Sequence, residues 1–273
     1  MSGVGTMQET TLQTATGRFR VRIDGPADAP ALVLSNSLGT TLEMWDAQAE
    51  RFARTHRVVR YDTRGHGGSD VSPGPYTFDQ LGGDVVALLD ALGIARASFC
   101  GISMGGFTGL WLGVNAPERL THLAVANSAA KIGTQEGWTA RAAMVRDKGA
   151  AAMADLAASS PGRWFTDAFA AAQPAVVQRA QGWIAGVDPE GYAACCEALA
   201  HADLRQAIGA IGARSLPTLL IAGSADPVTT VADAQAMQAA IAGAQLAEVP
   251  ASHLSNLEAP AQFDAALAGL LAR

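Results

Sequence analysis

The stretch Gly101-Ile102-Ser103-Met104-Gly105-Gly106 decides how this chain folds, because it fits the pattern G-x-S-x-G between a strand and a helix. The apolar run Ala97-Ser98-Phe99-Cys100 precedes it, as a buried strand would. Large apolar residues follow at helical spacing: Phe107, Leu110, Trp111 and Val114. Glycine on both sides of Ser103 lets strand and helix approach where side chains would collide. The pattern therefore predicts a tight strand–turn–helix that exposes a strained serine above a sheet.

A helix that begins directly behind Ser103 has chemical consequences. Its first N–H groups lack partners within the helix, and they carry the positive end of the helix dipole. A nucleophilic hydroxyl and part of an anion-binding site are therefore predicted at one place. The alternative is a glycine-rich strand–helix turn without chemistry, and the surrounding elements decide between the two.

The length of the chain suits one large α/β domain and leaves room for an inserted subdomain. The chain has 273 residues, of which 16% are charged, and its formal net charge is −6. No basic cluster is present, which argues against nucleic acid or an anionic membrane as a partner. No apolar run is long enough to cross a bilayer, and Met1-Ser2-Gly3-Val4-Gly5 lacks the basic and apolar regions of a signal peptide.

The three cysteines do not form a disulfide framework, since Cys195 and Cys196 are adjacent and Cys100 lies in the apolar strand. No spaced group of cysteine and histidine suggests a metal site. We therefore expect a cytoplasmic protein without a bound metal.

Strands and helices alternate along most of the chain, which predicts a doubly wound parallel sheet. Alternating residues predict an antiparallel hairpin, Met7–Gln13 with Arg18–Ile23. Further strands are predicted at Ala31–Ser35, Arg57–Tyr61, Leu120–Ala126, Thr218–Ala222 and Gln245–Val249. Helices are predicted through Leu42–Phe52, Leu81–Leu92, Val231–Ile241 and Asn256–Leu271, the second of them closed by Gly93.

Residues 134–213 break this alternation, and they separate two core segments, 1–133 and 214–273. The segment 134–213 holds helical patterns and no convincing strand. The patterns cover Trp138–Lys148, Ala151–Ala158, Pro174–Ala185 and Tyr192–Ala200. Because ligands of open α/β sheets bind at the carboxyl ends of the strands, the insert is expected to be a lid over that edge. The alternative is an extra layer packed beside the core.

A serine nucleophile needs a base within hydrogen-bond reach and an acid that orients the base. In this architecture the order along the chain is serine, acid, histidine. Of the five histidines, only His253 follows the last core strand, at the carboxyl edge beside Ser103. The others are predicted near strand starts (His56, His122), in the insert (His201) and in a structural turn (His66).

Asp226 is the expected acid, because it follows the strand Thr218–Ala222 directly and Pro227 keeps its loop out of a helix. The other position at which related folds carry an acid holds Asn127, which supplies no charge. The alternative role for Asp226 is a helix cap ahead of Val228–Thr230.

Two backbone N–H groups are expected to bind the oxyanion. One belongs to Met104, immediately after the nucleophile. The other is expected in the loop after Ala31–Ser35, where we choose Leu38 because Gly39 lets the backbone approach closely.

With these parts placed, the chain resembles the α/β-hydrolase superfamily over nearly its whole length. Within it, the chain is similar to the family of 3-oxoadipate enol-lactonases. The most specific segments are Ser35-Asn36-Ser37-Leu38-Gly39-Thr40 and Gly191-Tyr192-Ala193-Ala194-Cys195-Cys196. Supporting segments are Met44-Trp45-Asp46, Arg60–Gly67 and Ser252–Asn256. The resemblance implies an α/β-hydrolase fold, with a mostly parallel eight-stranded sheet and an inserted helical lid.

The resemblance also implies hydrolysis of an enol-lactone to 3-oxoadipate in the β-ketoadipate route of aromatic degradation. The partner is then a small lactone, no cofactor is required, and the oligomeric state stays open. Because this substrate carries a carboxylate, we expect a cation near it, with Trp138 and Arg141 on one helix face as the choice. Lys131, Arg146 and Arg163 are the other candidates. Another serine esterase, a carbon–carbon bond hydrolase or a non-catalytic binding protein remains as an alternative.

Overall fold

Eight strands form one sheet in the computed structural model of the protein, which describes residues 8–273. The N-terminal segment considered above and Met7 of the predicted hairpin lie outside the described residues. The strands are β1 (Gln8–Gln13), β2 (Arg18–Asp24), β3 (Ala31–Ser35), β4 (Arg57–Tyr61), β5 (Ala97–Ile102), β6 (Leu120–Ala126), β7 (Thr218–Gly223) and β8 (Gln245–Val249).

Helices account for most of the remaining structure. In chain order they are α1 (Asp46–Phe52), α2 (Phe78–Ala91), α3 (Met104–Asn115), α4 (Gln135–Lys148), α5 (Ala150–Ser159), α6 (Pro161–Trp164), α7 (Asp167–Ala172), α8 (Pro174–Ala185), α9 (Pro189–His201), α10 (Gly209–Ala213), α11 (Val231–Ala240), α12 (Ser255–Glu258) and α13 (Pro260–Leu271). Short 3₁₀ turns occupy Leu42–Trp45 and Pro117–Arg119.

The strand order is β1-β2-β4-β3-β5-β6-β7-β8. Strand β2 pairs antiparallel with β1 and β4, and the pairs from β4 through β8 are parallel. The fold class expected from the sequence is therefore confirmed. The chain passes from β3 outward to β4 and then returns to β5 on the other side of β3. A crevice for ligands forms at such a reversal, at the carboxyl ends of the strands.

The central strands are buried on both faces, and successive side chains enter different hydrophobic clusters. Leu32 and Leu34 belong to the cluster that contains Phe263 of α13. Val33, between them, belongs to the cluster that contains Leu110 of α3. Successive residues of a strand point to opposite faces, so a nearly continuous apolar run feeds both layers.

The turn after β5 is built from very close backbone contacts. Ser103 has φ 57° and ψ −116°, a conformation that is strained for a residue with a side chain. A Cβ on Gly101 would lie 2.2 Å from the carbonyl oxygen of Gly105, and a Cβ on Gly105 would lie 2.3 Å from that of Ser35. The expectation that Gly101 and Gly105 allow strand and helix to approach is confirmed.

Between β6 and β7 the chain folds into helices α4 to α10 without an intervening strand of the sheet. Helix α4 packs on α9, and α5 packs on α8. Arg146 ties α4 to α9 through ion pairs with Glu190 and Glu197. A Cβ on Gly65 would lie 2.6 Å from the Cα of Gly191, so the insert touches the core backbone directly.

Two predicted helices differ in the structure. The segment Leu42–Phe52 begins as a 3₁₀ turn and continues as α1. The segment Asn256–Leu271 is divided into α12 and α13 at Ala259, because Pro260 disfavours helical geometry at the residue before it. Within residues 8–273, no helix is long and apolar enough to cross a membrane.

We predict that Gly105→Ala lowers the free energy of unfolding by about 1–3 kcal/mol or more, because the added carbon meets fixed backbone atoms. Gly83→Ala in α2 is the matched control, because a Cβ there meets no atom within 4 Å. That change should stabilise the helix by roughly 0.5–1 kcal/mol. Urea unfolding of both variants measures the difference, and equal stabilities would contradict the packing argument.

Candidate active site

Ser103 is held by the backbone on either side of it. Its N–H donates to the carbonyl oxygen of Ala126 at 3.0 Å, and its carbonyl oxygen accepts from the Ser128 hydroxyl at 2.8 Å. The residue is 7% exposed and faces a cavity. Both contacts come from β6 and the residues after it, so the neighbouring strand fixes the strained turn.

His253 and Asp226 lie together, as the sequence predicts. His253 Nδ1 and Asp226 Oδ2 are 2.8 Å apart, and both side chains are buried. Burial raises the pKa of Asp226, but the hydrogen bond and charge of His253, with the hydrogen bonds from Asn127 and the Val228 N–H, lower it more, so the pKa of this carboxyl lies below its usual value. An ionised Asp226 accepts the Nδ1 proton and leaves Nε2 of the ring free to act as a base.

The second oxygen of Asp226 fixes its own loop. Asp226 Oδ1 accepts from the N–H groups of Val228 at 2.7 Å and Thr229 at 3.1 Å. The Thr229 hydroxyl donates to Oδ2 at 2.9 Å. These contacts close a local turn and do not cap a helix, because the next helix begins at Val231 and Thr230 is its N-cap.

Asn127 is a site residue that reasoning from charge missed. It has φ 43°, a left-handed conformation that asparagine tolerates, at the end of β6. Its Nδ2 donates to Asp226 Oδ2 at 3.0 Å and to the Ser252 carbonyl oxygen at 3.1 Å. Its Oδ1 accepts from the Ser255 hydroxyl. The sequence feature that could have identified Asn127 is its position, since it is a polar residue at the carboxyl end of the strand next to the one that carries the expected acid.

Ser103 and His253 line the same cavity. Within the described range the structure has no direct hydrogen bond between their side chains. Catalytic hydrogen bonds in unliganded sites are often long and shorten when substrate binds. The order of the three groups across the site is thus Ser103, His253, Asp226.

The two expected oxyanion donors are not used by the protein itself. Within residues 8–273, neither the N–H of Leu38 nor that of Met104 forms a hydrogen bond to a protein acceptor. Leu38 lies in a turn in which the Thr40 N–H donates to the Ser37 carbonyl oxygen at 3.2 Å. Gly39 follows with φ +82°. Leu38 lines the cavity, and Met104 is the first residue of α3, beside Ser103.

The cavity measures about 230 Å³ and lies between the sheet edge and the insert. The core contributes Ser37, Leu38, Ser103, Val228 and His253, among others. The insert contributes Trp138, Arg141, Arg163, Trp164, Ile184, Tyr192 and Leu199, among others. Such a volume suits a small molecule, and most of the lining from the insert is apolar or aromatic.

Trp138 and Arg141 share a helix face, as predicted, and both line the cavity. The indole N–H of Trp138 donates to the Ile132 carbonyl oxygen at 2.6 Å, which fixes the ring. The Arg141 guanidinium carbon lies 4.9 Å from the centre of that ring. Cation–π stacking of this kind restrains the position of the guanidinium in the cavity wall.

Arg163 brings a second guanidinium to the cavity. Burial and the positive charge of Arg141 lower its pKa from the ordinary value. In the described part of the chain neither arginine forms an ion pair with a carboxylate. Lys131 and Arg146, the other candidates, do: Lys131 with Asp203 at 3.7 Å, and Arg146 with glutamates of α9.

Comparisons with known proteins agree with this geometry. Residues 30–260 match the family model of the alpha/beta hydrolase fold. The chain is 50% identical to 3-oxoadipate enol-lactonase 2 of Acinetobacter baylyi over 249 residues, which is 91% of each chain. It is 48% identical to 3-oxoadipate enol-lactonase 1 of the same organism over 263 residues, which is 96% of each chain.

A solved structure is similar over nearly the same range. The enol-lactonase from Burkholderia xenovorans LB400 superimposes with a TM-score of 0.92 at 42% identity, covering 97% of this chain and 100% of that one. These likenesses are well beyond what a shared fold alone requires. The chain is therefore an α/β-hydrolase and belongs to the family of 3-oxoadipate enol-lactonases.

Proposed function

We propose that this enzyme hydrolyses 3-oxoadipate enol-lactone to 3-oxoadipate, with Ser103 as nucleophile, His253 as general base and Asp226 as the acid that orients it. One observation carries the proposal. A single small cavity joins Ser103 and the buried His253–Asp226 pair to two guanidinium groups without carboxylate partners in residues 8–273. Ser103 with the His253–Asp226 pair suits acyl transfer, and the two guanidinium groups suit a substrate that carries a carboxylate.

In the first half of the reaction, Ser103 Oγ attacks the lactone carbonyl carbon while His253 Nε2 takes the hydroxyl proton. The carbonyl oxygen becomes an oxyanion, which the N–H groups of Leu38 and Met104 bind. The bond from the carbonyl carbon to the ring oxygen then breaks, and the imidazolium returns its proton to the leaving enol. An enol oxygen leaves more readily than an alkoxide, and its tautomerisation to the ketone makes acylation hard to reverse.

In the second half, His253 takes a proton from a water that attacks the acyl-enzyme carbonyl. The same two N–H groups bind the second oxyanion. Collapse of this intermediate releases the new carboxylic acid and returns the proton to Ser103 Oγ. Every proton transfer uses His253, so the proposed cycle consumes only water and lactone.

The helical insert, residues 134–213, is proposed to be a lid whose Trp138 and Arg141 contact the bound lactone. The fixed indole gives a flat apolar surface for the ring, and the stacked guanidinium faces the substrate carboxylate. Cys100, Cys195 and Cys196 are free and buried, which fits the cytoplasmic setting expected from the sequence.

Ser103→Ala should remove nearly all turnover without unfolding the protein, because the side chain projects into a cavity. Loss of a triad nucleophile costs about 10⁶ in kcat, and the remaining rate comes from binding and the oxyanion site. The assay follows the enol-lactone, generated in situ, by absorbance. Retention of activity within about ten-fold of the parent would contradict the proposal, since a lost nucleophile costs far more.

The same assay separates the lactonase from other serine hydrolases of this fold. A lactonase should turn over the enol-lactone with a much higher kcat/KM than a simple aryl ester. The reverse preference, with Ser103 still essential, would retain the triad and overturn the substrate assignment.

Asp226→Asn should lower kcat by roughly 10³–10⁴-fold, as in other triads. The physical reason is that the two carboxylate oxygens have different partners. The amide oxygen is required where Val228 and Thr229 donate, so the amide nitrogen faces His253 Nδ1 and the Asn127 amide, which is itself a donor. The ring is then held in the tautomer that carries its proton on Nε2.

Steady-state kinetics of Asp226→Asn measure this effect, with Asp203→Asn as a matched control. Asp203 is partly exposed and pairs with Lys131 and Arg205 outside the cavity, so its substitution should leave kcat unchanged. If Asp226→Asn leaves kcat unchanged, another residue must be the acid that orients His253.

Arg141→Ala should lower kcat/KM for the carboxylated lactone about ten- to a hundred-fold. A charge-assisted pair is worth roughly 1.5–3 kcal/mol, and each 1.4 kcal/mol is about a factor of ten. Arg141→Lys should restore little, because an ammonium lacks the planar fork. Hydrolysis of a neutral ester of similar size serves as the control and should barely change.

Arg163→Ala, tested in parallel, distinguishes the two guanidiniums. A loss confined to Arg163→Ala would move the carboxylate contact to that residue. Equal losses on charged and neutral substrates in Arg141→Ala would mean that Arg141 supports the fold of the insert.

A further inference from the structure

His66 lies directly behind the turn that carries Leu38. Its side chain is buried, and Nε2 accepts a hydrogen bond from the Gly39 N–H at 3.0 Å. Its Nδ1 lies 3.3 Å from the carbonyl oxygen of Arg64. A carbonyl oxygen only accepts, so the Nδ1 proton points to Arg64 and Nε2 has its lone pair toward Gly39. The ring is thus neutral, with one defined tautomer.

The Gly39 N–H belongs to the central peptide of the turn from Ser37 to Thr40. The bond from Thr40 N–H to the Ser37 carbonyl oxygen and the φ of +82° at Gly39 are typical of a type II turn. Type I and type II turns differ by a flip of this central peptide, and glycine permits both. The acceptor at His66 Nε2 selects one orientation. The flip changes ψ of Leu38 and φ of Gly39. The Leu38 N–H belongs to the same peptide as the Ser37 carbonyl that accepts from Thr40, so fixing the form of the turn also restrains that N–H.

His66 is a fixed support, because its own loop is tied to the core at several points. Asp62 Oδ1 accepts from the Leu42 N–H at 2.8 Å, and Asp62 Oδ2 accepts from the Gly68 N–H at 2.9 Å. The buried ion pair of Arg64 with Asp84 anchors the loop to α2. The ring of His66 therefore has little freedom to follow the turn if the turn moves.

The insert closes the other side of Gly39. A Cβ at that position would lie 3.0 Å from Ile184 and 3.4 Å from the Tyr192 ring. Desolvation lowers the pKa of His66 to about 4, which keeps Nε2 an acceptor at neutral pH. The charged groups around the loop are Asp62 with Arg20, and Arg64 with Asp84, and each carboxylate already has a cation.

We propose that His66 is a positioning residue for the hydrolytic reaction, which holds the Leu38 N–H at the oxyanion by accepting the Gly39 N–H at Nε2. This inference rests on the proposed roles of Ser103 and Leu38. The proposed role distinguishes His66 from the other four histidines, because in residues 8–273 His66 is the histidine that forms a hydrogen bond with the turn after β3. Its loss acts on the oxyanion and leaves the ground-state contacts of the substrate in place.

Three substitutions test the acceptor. His66→Gln keeps an oxygen at about the reach of Nε2, His66→Leu removes the acceptor, and His66→Asn is polar but too short to reach Gly39. The asparagine variant serves where leucine prevents folding. His201→Gln, an exposed histidine at the end of α9, is the matched control and should equal the parent.

Rates are measured per active site titrated by an aryl-ester burst, so that unfolded molecules do not count. A lost oxyanion donor costs about 10²–10³ in kcat, and a loosened one should cost about 10–100-fold. KM should change little. Inhibition by a boronic acid, whose adduct on Ser103 places an oxygen at the oxyanion site, should weaken in proportion to kcat/KM.

Parallel losses in kcat and boronic-acid affinity for His66→Leu or His66→Asn, with recovery in His66→Gln, support the inference. Parent-like kinetics in all of these variants overturn it. Equal losses in all of them, His66→Gln included, or a rise in KM at unchanged kcat, also overturn it, since they assign His66 to folding or binding. If the parent enzyme neither turns over the lactone nor binds the boronic acid, the result contradicts the proposed function and not the role of His66.

A measurement on the parent enzyme addresses the geometry without substitution. A scalar coupling across the hydrogen bond between the Gly39 nitrogen and His66 Nε2, observed by ¹⁵N NMR, is expected. Its absence in the folded enzyme at neutral pH would overturn the inference.

Discussion

The close approach of three backbones at the carboxyl ends of β3 and β5 is the constraint on which the site depends. The Cβ positions of Gly101 and Gly105 fall 2.2 and 2.3 Å from backbone oxygens, so only glycine fits at either position. This crowding brings the start of α3 against the end of β3. The start of α3, with the N–H of Met104, is therefore held close to the end of β3 and the turn that carries Leu38, which is the arrangement that the proposed oxyanion site needs.

The positions of Asp226 and His253, the proposed acid and base, depend in the same way on the order of the last strands. Asn127, Asp226 and His253 follow β6, β7 and β8, which are neighbours in the sheet. Each of these loops is linked to the next by a buried hydrogen bond, from Asn127 to Asp226 and from Asp226 to His253. A buried carboxylate with several donors stays ionised, whereas one without them would bind a proton. The network thus fixes both the charge of Asp226 and the direction of the imidazole.

Short-range patterns in the sequence were enough to predict most of the core. Arg57–Tyr61 and Leu120–Ala126 match their strands because apolar runs bounded by turns have few alternatives. The order of serine, acid and histidine along the chain led to the pair that the structure brings together. Asn127 was set aside because the search was for charge, and its value as a hydrogen-bond donor depends on where the neighbouring strand ends. The choice between Arg141 and Arg163 depends on how α4 and the four-residue α6 pack, which periodicity does not encode.

The core and the insert supply different kinds of group to the cavity. All the residues proposed to move protons or bind the oxyanion lie on the core, whereas both guanidiniums that line the cavity lie on the insert. Burial, and then the positive charge of Arg141, lower the pKa of Arg163, so the two guanidiniums repel each other. A bound carboxylate would relieve this repulsion, so an anionic substrate gains more from the pair than a neutral one. Asp226 does not compete for the cations, because it lies behind His253 and is already hydrogen-bonded. Changes in the insert can therefore alter which acyl group enters while the acyl-transfer groups stay in place.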